Sequence, residues 1–132
     1  MNIYDNYFPL GLGTSRLPIL SENDENGIEK AAELILSALN QGVNYIDTSH
    51  IYAQNAAHAA LKLAFSRTDK HFAVTNKSRY GQDFTADDVK MRVETSLEAM
   101  GIMHTPFFCV WTLMSYSDFK AVMKKGGIYD GA

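Results

Sequence analysis

The sequence predicts an α/β fold in which four short strands alternate with four helices. Each predicted strand is an apolar run without polar–apolar alternation, as in a parallel sheet whose two faces are both covered. Each run precedes a stretch with the apolar periodicity of an amphipathic helix. The later strands start near residues 44, 71 and 106, roughly the spacing of repeated βα units. Four such units form either an open doubly wound sheet or half of a (β/α)₈ barrel, and periodicity alone does not distinguish them.

The first two units are delimited by their apolar runs. Strand one is predicted over residues 8–13. Helix one is predicted over about residues 28–40, because apolar side chains recur on one face and Gly42 can end the helix. Strand two is predicted over residues 43–47, and the alanine-rich stretch at about residues 55–65 predicts helix two.

Helix three has the clearest start signal in the chain. Strand three is predicted over residues 72–75 and leads through Lys77 into a loop. Thr85 and Asp88 then match a capping box, in which the threonine hydroxyl accepts from a backbone N–H that otherwise lacks a partner. The helix is expected to end at Gly101. Its predicted buried stripe consists of Val89, Val93, Leu97 and Met100.

The fourth unit begins with a strongly apolar strand. This strand is predicted over residues 106–111, and the single cysteine of the chain, Cys109, is expected to fill the core there. Helix four is predicted to start at Ser117 and to stop at residues 126–127. Its expected buried side chains are Phe119, Val122 and Met123.

Composition predicts that residues 1–132 form one domain. With 132 residues, 46% of them hydrophobic, the chain is long enough to bury a core. Its net charge is −3 and its basic residues do not cluster, which argues against nucleic acid as a partner. A single cysteine cannot form an internal disulfide, and no segment approaches the roughly 18 apolar residues of a membrane span. We therefore expect a soluble, cytoplasmic protein without a membrane partner.

Chemistry is expected at the loops after the strands, because active sites of barrel sheets lie at the C-terminal ends of the strands. The segments that this rule selects are residues 13–15, 47–52, 76–78 and 111–112. Asp47, Tyr52 and Lys77 would then converge on one rim. An ammonium stabilises a nearby phenolate and a carboxylate holds the ammonium in place, so a tyrosine in this setting can act as a general acid. The alternative is that the aspartate anchors a loop and the lysine is solvated.

Three segments resemble the signatures of the aldo/keto reductase family, in the family's order and at about its separations. They are GLGTSRLP at residues 11–18, NYIDTSHIY at residues 44–52 and VTNKS at residues 74–78. The sequence is most similar to the bacterial branch that often carries a C-terminal, ferredoxin-like iron–sulfur extension. The resemblance extends over nearly the whole chain and implies the first four units of a (β/α)₈ TIM barrel, a half-barrel.

The resemblance also implies NAD(P)H-dependent reduction of an aldehyde or ketone. Hydride would pass from the nicotinamide to the carbonyl carbon, and Tyr52 would protonate the oxygen. Lys77 and Asp47 would tune the acidity of Tyr52. The residues implied to lie near the cofactor are Gly13, Thr14, Ser15 and Asp47. The family's fourth catalytic residue, a histidine, is replaced by Trp111. An indole N–H could orient a carbonyl oxygen, and the alternative is an aromatic wall of the rim.

Two further patterns predict no site. His50 and His58 need additional ligands to hold a metal, and no cysteine or carboxylate completes a ligand set, so no metal is expected. The glycines before Arg16 do not complete a dinucleotide-binding fingerprint, since the arginine replaces the third glycine.

The number of units sets the expectations for cofactor and activity. A (β/α)₈ barrel takes about 250 residues, and in the resembled family most contacts to the cofactor's phosphates come from the last strands. We therefore expect weak or no binding of NADP(H) or NAD(H), and no activity of the isolated chain on its carbonyl substrate. Two classes of function stay open. One is an oxidoreductase completed by another segment or chain, and the other is a non-catalytic binding or regulatory module on a reductase scaffold.

A half-barrel also predicts self-association. The outer strands would expose unpaired backbone groups. The side chains expected to form an uncovered apolar face are Ile46, Val74, Phe108 and Val110. A homodimer or a complementing second half would cover both features, and a domain swap through residues 115–132 is the other variant.

Overall fold

The computed structural model describes residues 6–132, which form one parallel sheet with helices between its strands. The strands are β1 (Leu12–Gly13), β2 (Tyr45–Asp47), β3 (Ala73–Arg79) and β4 (Phe107–Trp111). The helices are α1 (Glu25–Asn40), α2 (Ala57–Phe65), α3 (Ala86–Met100), α4 (Tyr116–Met123) and α5 (Ile128–Gly131). The strands pair in parallel in the order β1-β2-β3-β4, which confirms the predicted half (β/α)₈ barrel. Within residues 6–132, every helix falls short of the length and hydrophobicity of a membrane span.

Helix α1 begins at Glu25 rather than near residue 28, because an aspartate caps it. The Asp24 carboxylate accepts from the backbone N–H groups of Gly27 and Leu20, each at 2.9 Å. These backbone hydrogen bonds lower the pKa of Asp24. The prediction relied on apolar periodicity, which the polar first turn of this helix lacks.

The capping box of α3 is confirmed. The Thr85 hydroxyl accepts from the Asp88 backbone N–H at 3.2 Å, and the Asp88 carboxylate accepts from the Thr85 N–H at 2.9 Å. Gly101 ends the helix in the left-handed conformation, with φ at 67°. Of the predicted stripe, Val89 and Met100 are fully buried and Val93 and Leu97 are half-buried.

Strand β3 is longer than the prediction of residues 72–75, which was wrong at its C-terminal end. The polar residues 76–78, expected in a loop, lie inside the strand. They are buried there, and Lys77 is paired with Asp47. Lys77 and Ser78 have polar partners, whereas the Asn76 amide has no hydrogen-bond partner among residues 6–132. Apolar periodicity underestimates a strand that contains such buried polar residues.

The main core lies between the sheet and the first two helices. Ile35 of α1 and Leu61 of α2 are fully buried and belong to the same cluster as Ile46 and Val74 of the sheet. The expectation that Ile46 and Val74 form an uncovered face was therefore wrong. The helices of βα units pack back onto the sheet and cover this face. Each buried aliphatic side chain of this kind contributes roughly 1.5–3 kcal/mol to folding.

A second, smaller cluster lies on the helix side of β4. Its buried members are Val89, Val122 and Ile128, and the strand contributes the half-buried Phe108 and Val110. The last helix, α5, was not predicted from the sequence. Its first residue, Ile128, is fully buried and anchors the tail against this cluster.

Three residues of the fourth unit are more exposed than predicted. Cys109 is exposed rather than part of the core, because β4 is the last strand of the sheet in residues 6–132. Phe119 and Met123 of α4 are 46% and 42% exposed, so only Val122 of the predicted trio is buried. The edge position of β4 leaves these side chains without a neighbouring element on that side.

Candidate active site

Lys77 is the centre of a polar site on the face of the sheet away from Ile46 and Val74. Its ammonium donates to the Oδ2 atom of Asp47 and to the carbonyl oxygen of Thr48, the latter at 3.2 Å. The Lys77 side chain is only 9% exposed, whereas the Asp47 side chain is 40% exposed. A buried ammonium requires such partners, since an unpaired buried charge is strongly destabilising. The ion pair with Asp47 therefore holds the Lys77 ammonium at the C-terminal end of β2.

Tyr52 lies beside this ion pair, in the loop between β2 and α2. The Lys77 ammonium nitrogen is 5.5 Å from the centroid of the Tyr52 ring, within the range of a cation–π contact. The Tyr52 backbone N–H donates to the carbonyl oxygen of Ser49 at 3.1 Å and closes a local turn. The structure thus brings Asp47, Tyr52 and Lys77 together on one rim, although they come from two strands and a loop.

The backbone directly after Tyr52 adopts a conformation that the sequence did not signal. Ala53, Gln54 and Asn55 all lie in the left-handed region, with φ values of 49°, 56° and 65°. For residues with a Cβ this region costs roughly 1–2 kcal/mol each. Hydrogen bonds hold the segment, among them the Ala57 N–H donating to the Tyr52 carbonyl oxygen at 3.2 Å. Strain of this kind is concentrated at functional sites, and no glycine in the segment marks it.

The β1 loop supports the rim rather than contributing a free hydroxyl from Thr14. Thr14 is fully buried, and its hydroxyl lies 2.9 Å from the Thr48 hydroxyl and 3.1 Å from the Asp47 carbonyl oxygen. Its backbone N–H also donates to the Asp47 carbonyl oxygen at 3.0 Å. Gly13 and Ser15 are exposed, and a Cβ at Gly13 would meet no atom within 4 Å. Open space therefore lies over Gly13 at the rim.

Trp111, at the end of β4, forms an aromatic wall beside Tyr52. The two ring centroids are 6.5 Å apart in an edge-to-face arrangement, and the Arg79 guanidinium lies 5.4 Å from the Trp111 ring. The indole Nε1 is buried and has no hydrogen-bond partner in the described part of the chain. A cavity of about 530 Å³ opens at this wall. It is lined by Ser15, Arg16, Leu17, Ile19, Ile51, Tyr52, Ala53, Gln54 and Trp111.

Two histidines next to the rim are held in the neutral form. Burial lowers the pKa of His58 to about 4, with a smaller contribution from the nearby His50. Burial and the charge of Arg92 likewise lower the pKa of His50. His58 Nε2 and His50 Nδ1 have no hydrogen-bond partner among residues 6–132. Across those residues, histidines, cysteines and carboxylates form no cluster of three or more suited to a metal ion.

An ion pair that the sequence analysis missed supports the far end of β3. Asp83 accepts from Arg92 at 3.0 Å and from the Ser78 hydroxyl at 2.7 Å. Burial alone would raise the pKa of Asp83, but these hydrogen bonds outweigh it and hold the pKa below its usual value. The two charged residues are separated by a turn and part of α3, so no spacing rule identifies them.

Comparison with known proteins gives a family match over most of the chain. The family model described as "Aldo/keto reductase family" matches residues 9–111. Among curated proteins, none matches the sequence significantly.

Solved structures share the fold at low sequence identity. An aldo-keto reductase from a Medee basin deep-sea metagenome library is 21% identical with a TM-score of 0.65, over 92% of this chain and 37% of that one. An aldo-keto reductase from Klebsiella pneumoniae in complex with NADPH is 16% identical with a TM-score of 0.66, over 88% and 41%. A glycerol dehydrogenase from Gluconobacter oxydans is 17% identical with a TM-score of 0.63, over 76% and 34%. This chain therefore spans less than half the length of these structures.

Proposed function

The chain belongs to the aldo/keto reductase family, and we propose that it carries the proton-donating rim of an NAD(P)H-dependent reductase of aldehydes or ketones. The supporting observation is the Lys77 ammonium, which is paired with Asp47 and lies 5.5 Å from the Tyr52 ring centroid. In this proposal residues 1–132 form one unit, the N-terminal half of a reductase barrel. That half supplies the general acid, and the remaining half of the barrel supplies most of the contacts that bind the cofactor.

Tyr52 is assigned as the general acid. When bound, the nicotinamide supplies the hydride that adds to the carbonyl carbon. The Tyr52 hydroxyl gives its proton to the carbonyl oxygen, which becomes the alcohol oxygen, and the phenolate that remains is stabilised by the Lys77 ammonium. Asp47 holds the ammonium in place through its carboxylate. The protonated Tyr52 is then restored from solvent through the open cavity.

The residues of the rim fit the nicotinamide end of a cofactor better than its phosphates. Gly13 and Ser15 border open space at the rim, where a ribose and nicotinamide would lie. Among residues 6–132, Arg16 is the one basic residue that lines the cavity. A dinucleotide carries several phosphate charges, which this single guanidinium does not neutralise. We therefore propose that the isolated chain binds NADPH weakly, with a Kd far above the low-micromolar range. Fluorescence titration measures this Kd, and a low-micromolar value would contradict the proposal.

Trp111 is assigned to the wall of the site. Its ring lines the cavity beside Tyr52, but the indole Nε1 is buried. An indole has no acceptor and does not titrate in the relevant range, so it cannot replace a histidine in proton transfer. Its contribution in this proposal is to exclude water and to position the carbonyl group.

The proposed reaction is tested in a fusion of this chain to the C-terminal half of the Klebsiella pneumoniae reductase. NADPH carrying deuterium on the transferable C4 position is supplied with a small aldehyde, and the alcohol product is examined by NMR. The proposal expects deuterium on the carbinol carbon and none when either the fusion or the aldehyde is omitted. A fusion that binds NADPH, shown by fluorescence, but transfers no deuterium would contradict it. That outcome would favour a non-catalytic module instead.

A further inference from the structure

Three buried polar side chains on the helix side of the sheet lack hydrogen-bond partners. They are Asn76 in β3, Ser96 in α3 and His58 in α2, which are 0%, 2% and 6% exposed. Asn76 directly precedes Lys77 in β3 and therefore points to the opposite, helix-covered face. The atoms without a partner among residues 6–132 are Nδ2 and Oδ1 of Asn76, Oγ of Ser96 and Nε2 of His58. Buried polar atoms are almost always hydrogen-bonded, either to protein or to ordered water.

Asn76 and Ser96 lie at the same level of β3 and α3. Ser78 is tied through Asp83 to Arg92, which fixes the level of one turn of α3 against the strand. The step along β3 from Ser78 back to Asn76 spans roughly 6.6 Å. The turn of α3 from Arg92 on to Ser96 spans about 6 Å. Because α3 joins two parallel strands and runs antiparallel to β3, both steps go in the same direction and bring Ser96 opposite Asn76.

His58 reaches this level from α2. A Cβ at Gly101, which ends α3, would lie 3.4 Å from the Cγ atom of Lys62. The side chain of Lys62 therefore packs on the C-terminal end of α3. His58 precedes Lys62 by four residues and shares its face of α2. Helices α2 and α3 run in the same direction between parallel strands, so His58 lies one turn before this contact, at about the level of Ser96.

The three side chains form a polar layer at the boundary between the two apolar clusters. Val74 and Met100, on one side of the layer, belong to the cluster packed by α1 and α2. Val89, on the other side, belongs to the second cluster, as does Phe108, which pairs in register with Asn76. The layer is therefore enclosed by β3 and by the helices of the second and third units.

The chemistry of this polar layer selects a neutral ligand that both donates and accepts hydrogen bonds. The Asn76 amide offers N–H donors and a carbonyl acceptor, and the Ser96 hydroxyl offers either. Burial lowers the pKa of His58 to about 4, so its neutral ring also has one donor and one acceptor. None of the three carries a charge at neutral pH, so neither a metal ion nor an anion is matched. Water is the smallest neutral ligand of this kind, and buried water typically has about three polar partners.

We propose that at least one ordered water molecule is bound inside the fold, with Asn76, Ser96 and His58 as its ligands. The water accepts from the Asn76 amide and exchanges hydrogen bonds with the Ser96 hydroxyl and the His58 ring. It thereby joins β3, α2 and α3 into one hydrogen-bonded network at the boundary of the two apolar clusters. The site is independent of the proposed reductase activity, because it lies on the face of the sheet opposite Lys77.

A crystal structure of the 132-residue chain, at a resolution that shows ordered water, tests the proposal directly. We expect a water within about 3.2 Å of a polar atom of Asn76 and of at least one of Ser96 and His58. Direct hydrogen bonds among the three side chains, with no water between them, would overturn the proposal. An empty site would do the same. This measurement uses the wild-type chain and does not depend on the folding of any variant.

Oxygen-17 relaxation dispersion tests the same site in solution, because its amplitude reports long-lived buried water. The double variant Asn76→Leu/Ser96→Ala removes two of the three ligands, and its amplitude should fall by at least one water equivalent. The matched control Asn40→Leu/Ser37→Ala makes the same substitutions at two exposed residues of α1 and should keep the wild-type amplitude. Far-UV circular dichroism checks that each chain is folded. Equal amplitudes for all three folded chains would overturn the proposal.

Discussion

The two faces of the sheet differ in how their side chains are accommodated. On the helix side, Ile46 and Val74 are fully buried among apolar neighbours. On the opposite side, Asp47 and Lys77 satisfy each other through a charge pair next to an open cavity, and Cys109 is exposed. The helix side therefore supplies most of the free energy of folding, and the open side carries the residues that we propose for the chemistry. Substitutions on the two faces should therefore affect different properties.

The largest stability effect is expected at the centre of the helix side. Ile46→Ala removes a fully buried side chain and leaves a cavity, which costs roughly 2–5 kcal/mol of the free energy of unfolding. Cys109→Ala, on the open face, should change that free energy by less than about 0.5 kcal/mol because Cys109 is exposed. Urea unfolding at one protein concentration measures both. Equal losses for the two variants would remove the distinction between the faces.

A pH effect of intermediate size is expected from His58. Its pKa is about 4 in the folded chain, against 6.5 for an unperturbed histidine, so the unfolded chain binds more protons between these values. The stabilisation is fully present above pH 6.5 and is lost as pH falls toward 4, by roughly 3 kcal/mol. Urea unfolding from pH 7.5 to 4.5 measures this slope. His58→Leu should flatten it, whereas His104→Leu, at an exposed histidine, should leave it.

If the free energy of unfolding of His58→Leu falls with pH as steeply as that of the wild-type chain, another buried group causes the loss of stability. His50 is the nearest candidate, because burial also lowers its pKa. That result would assign the pH dependence to a histidine of the rim loop instead of one in helix α2. Stability would then depend on residues of both faces.

The smallest effect is expected at the N-terminal cap of α3, where Thr85 is exposed. Thr85→Ala removes the hydroxyl that accepts from the Asp88 backbone N–H and should cost about 1 kcal/mol. Thr95→Ala, in the exposed middle of the same helix, is the matched control and should cost nothing or stabilise slightly. Thermal unfolding resolves the pair. A cap variant as stable as its control would mean that packing alone fixes this helix end.

The alternation of strands and helices was predictable because it depends on local patterns. The capping box at Thr85 and the stop at Gly101 needed only residue types and spacing. The length of β3 was not predictable from apolar periodicity, because the strand contains buried polar residues, and the partner of Lys77 is Asp47 from a distant segment. Whether a side chain is buried likewise depends on tertiary structure. Cys109 has the composition of a core position but lies at the sheet edge.

The candidate site was predictable in its members and less so in its geometry. The rule that strand ends carry chemistry selected Asp47, Tyr52 and Lys77, and the structure places them together. The left-handed turn at residues 53–55 has no glycine to signal it. The orientation of the Thr14 hydroxyl depends on its hydrogen bond with the Thr48 hydroxyl. This contact joins two loops and cannot be inferred from the spacing of residues in the sequence.

The most direct measurement is the turnover of Tyr52→Phe in the NADPH-binding fusion described above. Removing the phenolic hydroxyl takes away the proposed acid while keeping the ring beside Trp111. We expect kcat for aldehyde reduction to fall by about 10²–10⁴-fold with the Kd for NADPH unchanged. Tyr129→Phe, at a tyrosine that is 60% exposed and lies in α5 rather than in the rim cavity, should retain full activity. A Tyr52→Phe fusion with kcat within about twofold of its parent would contradict the central claim that the open face supplies the proton.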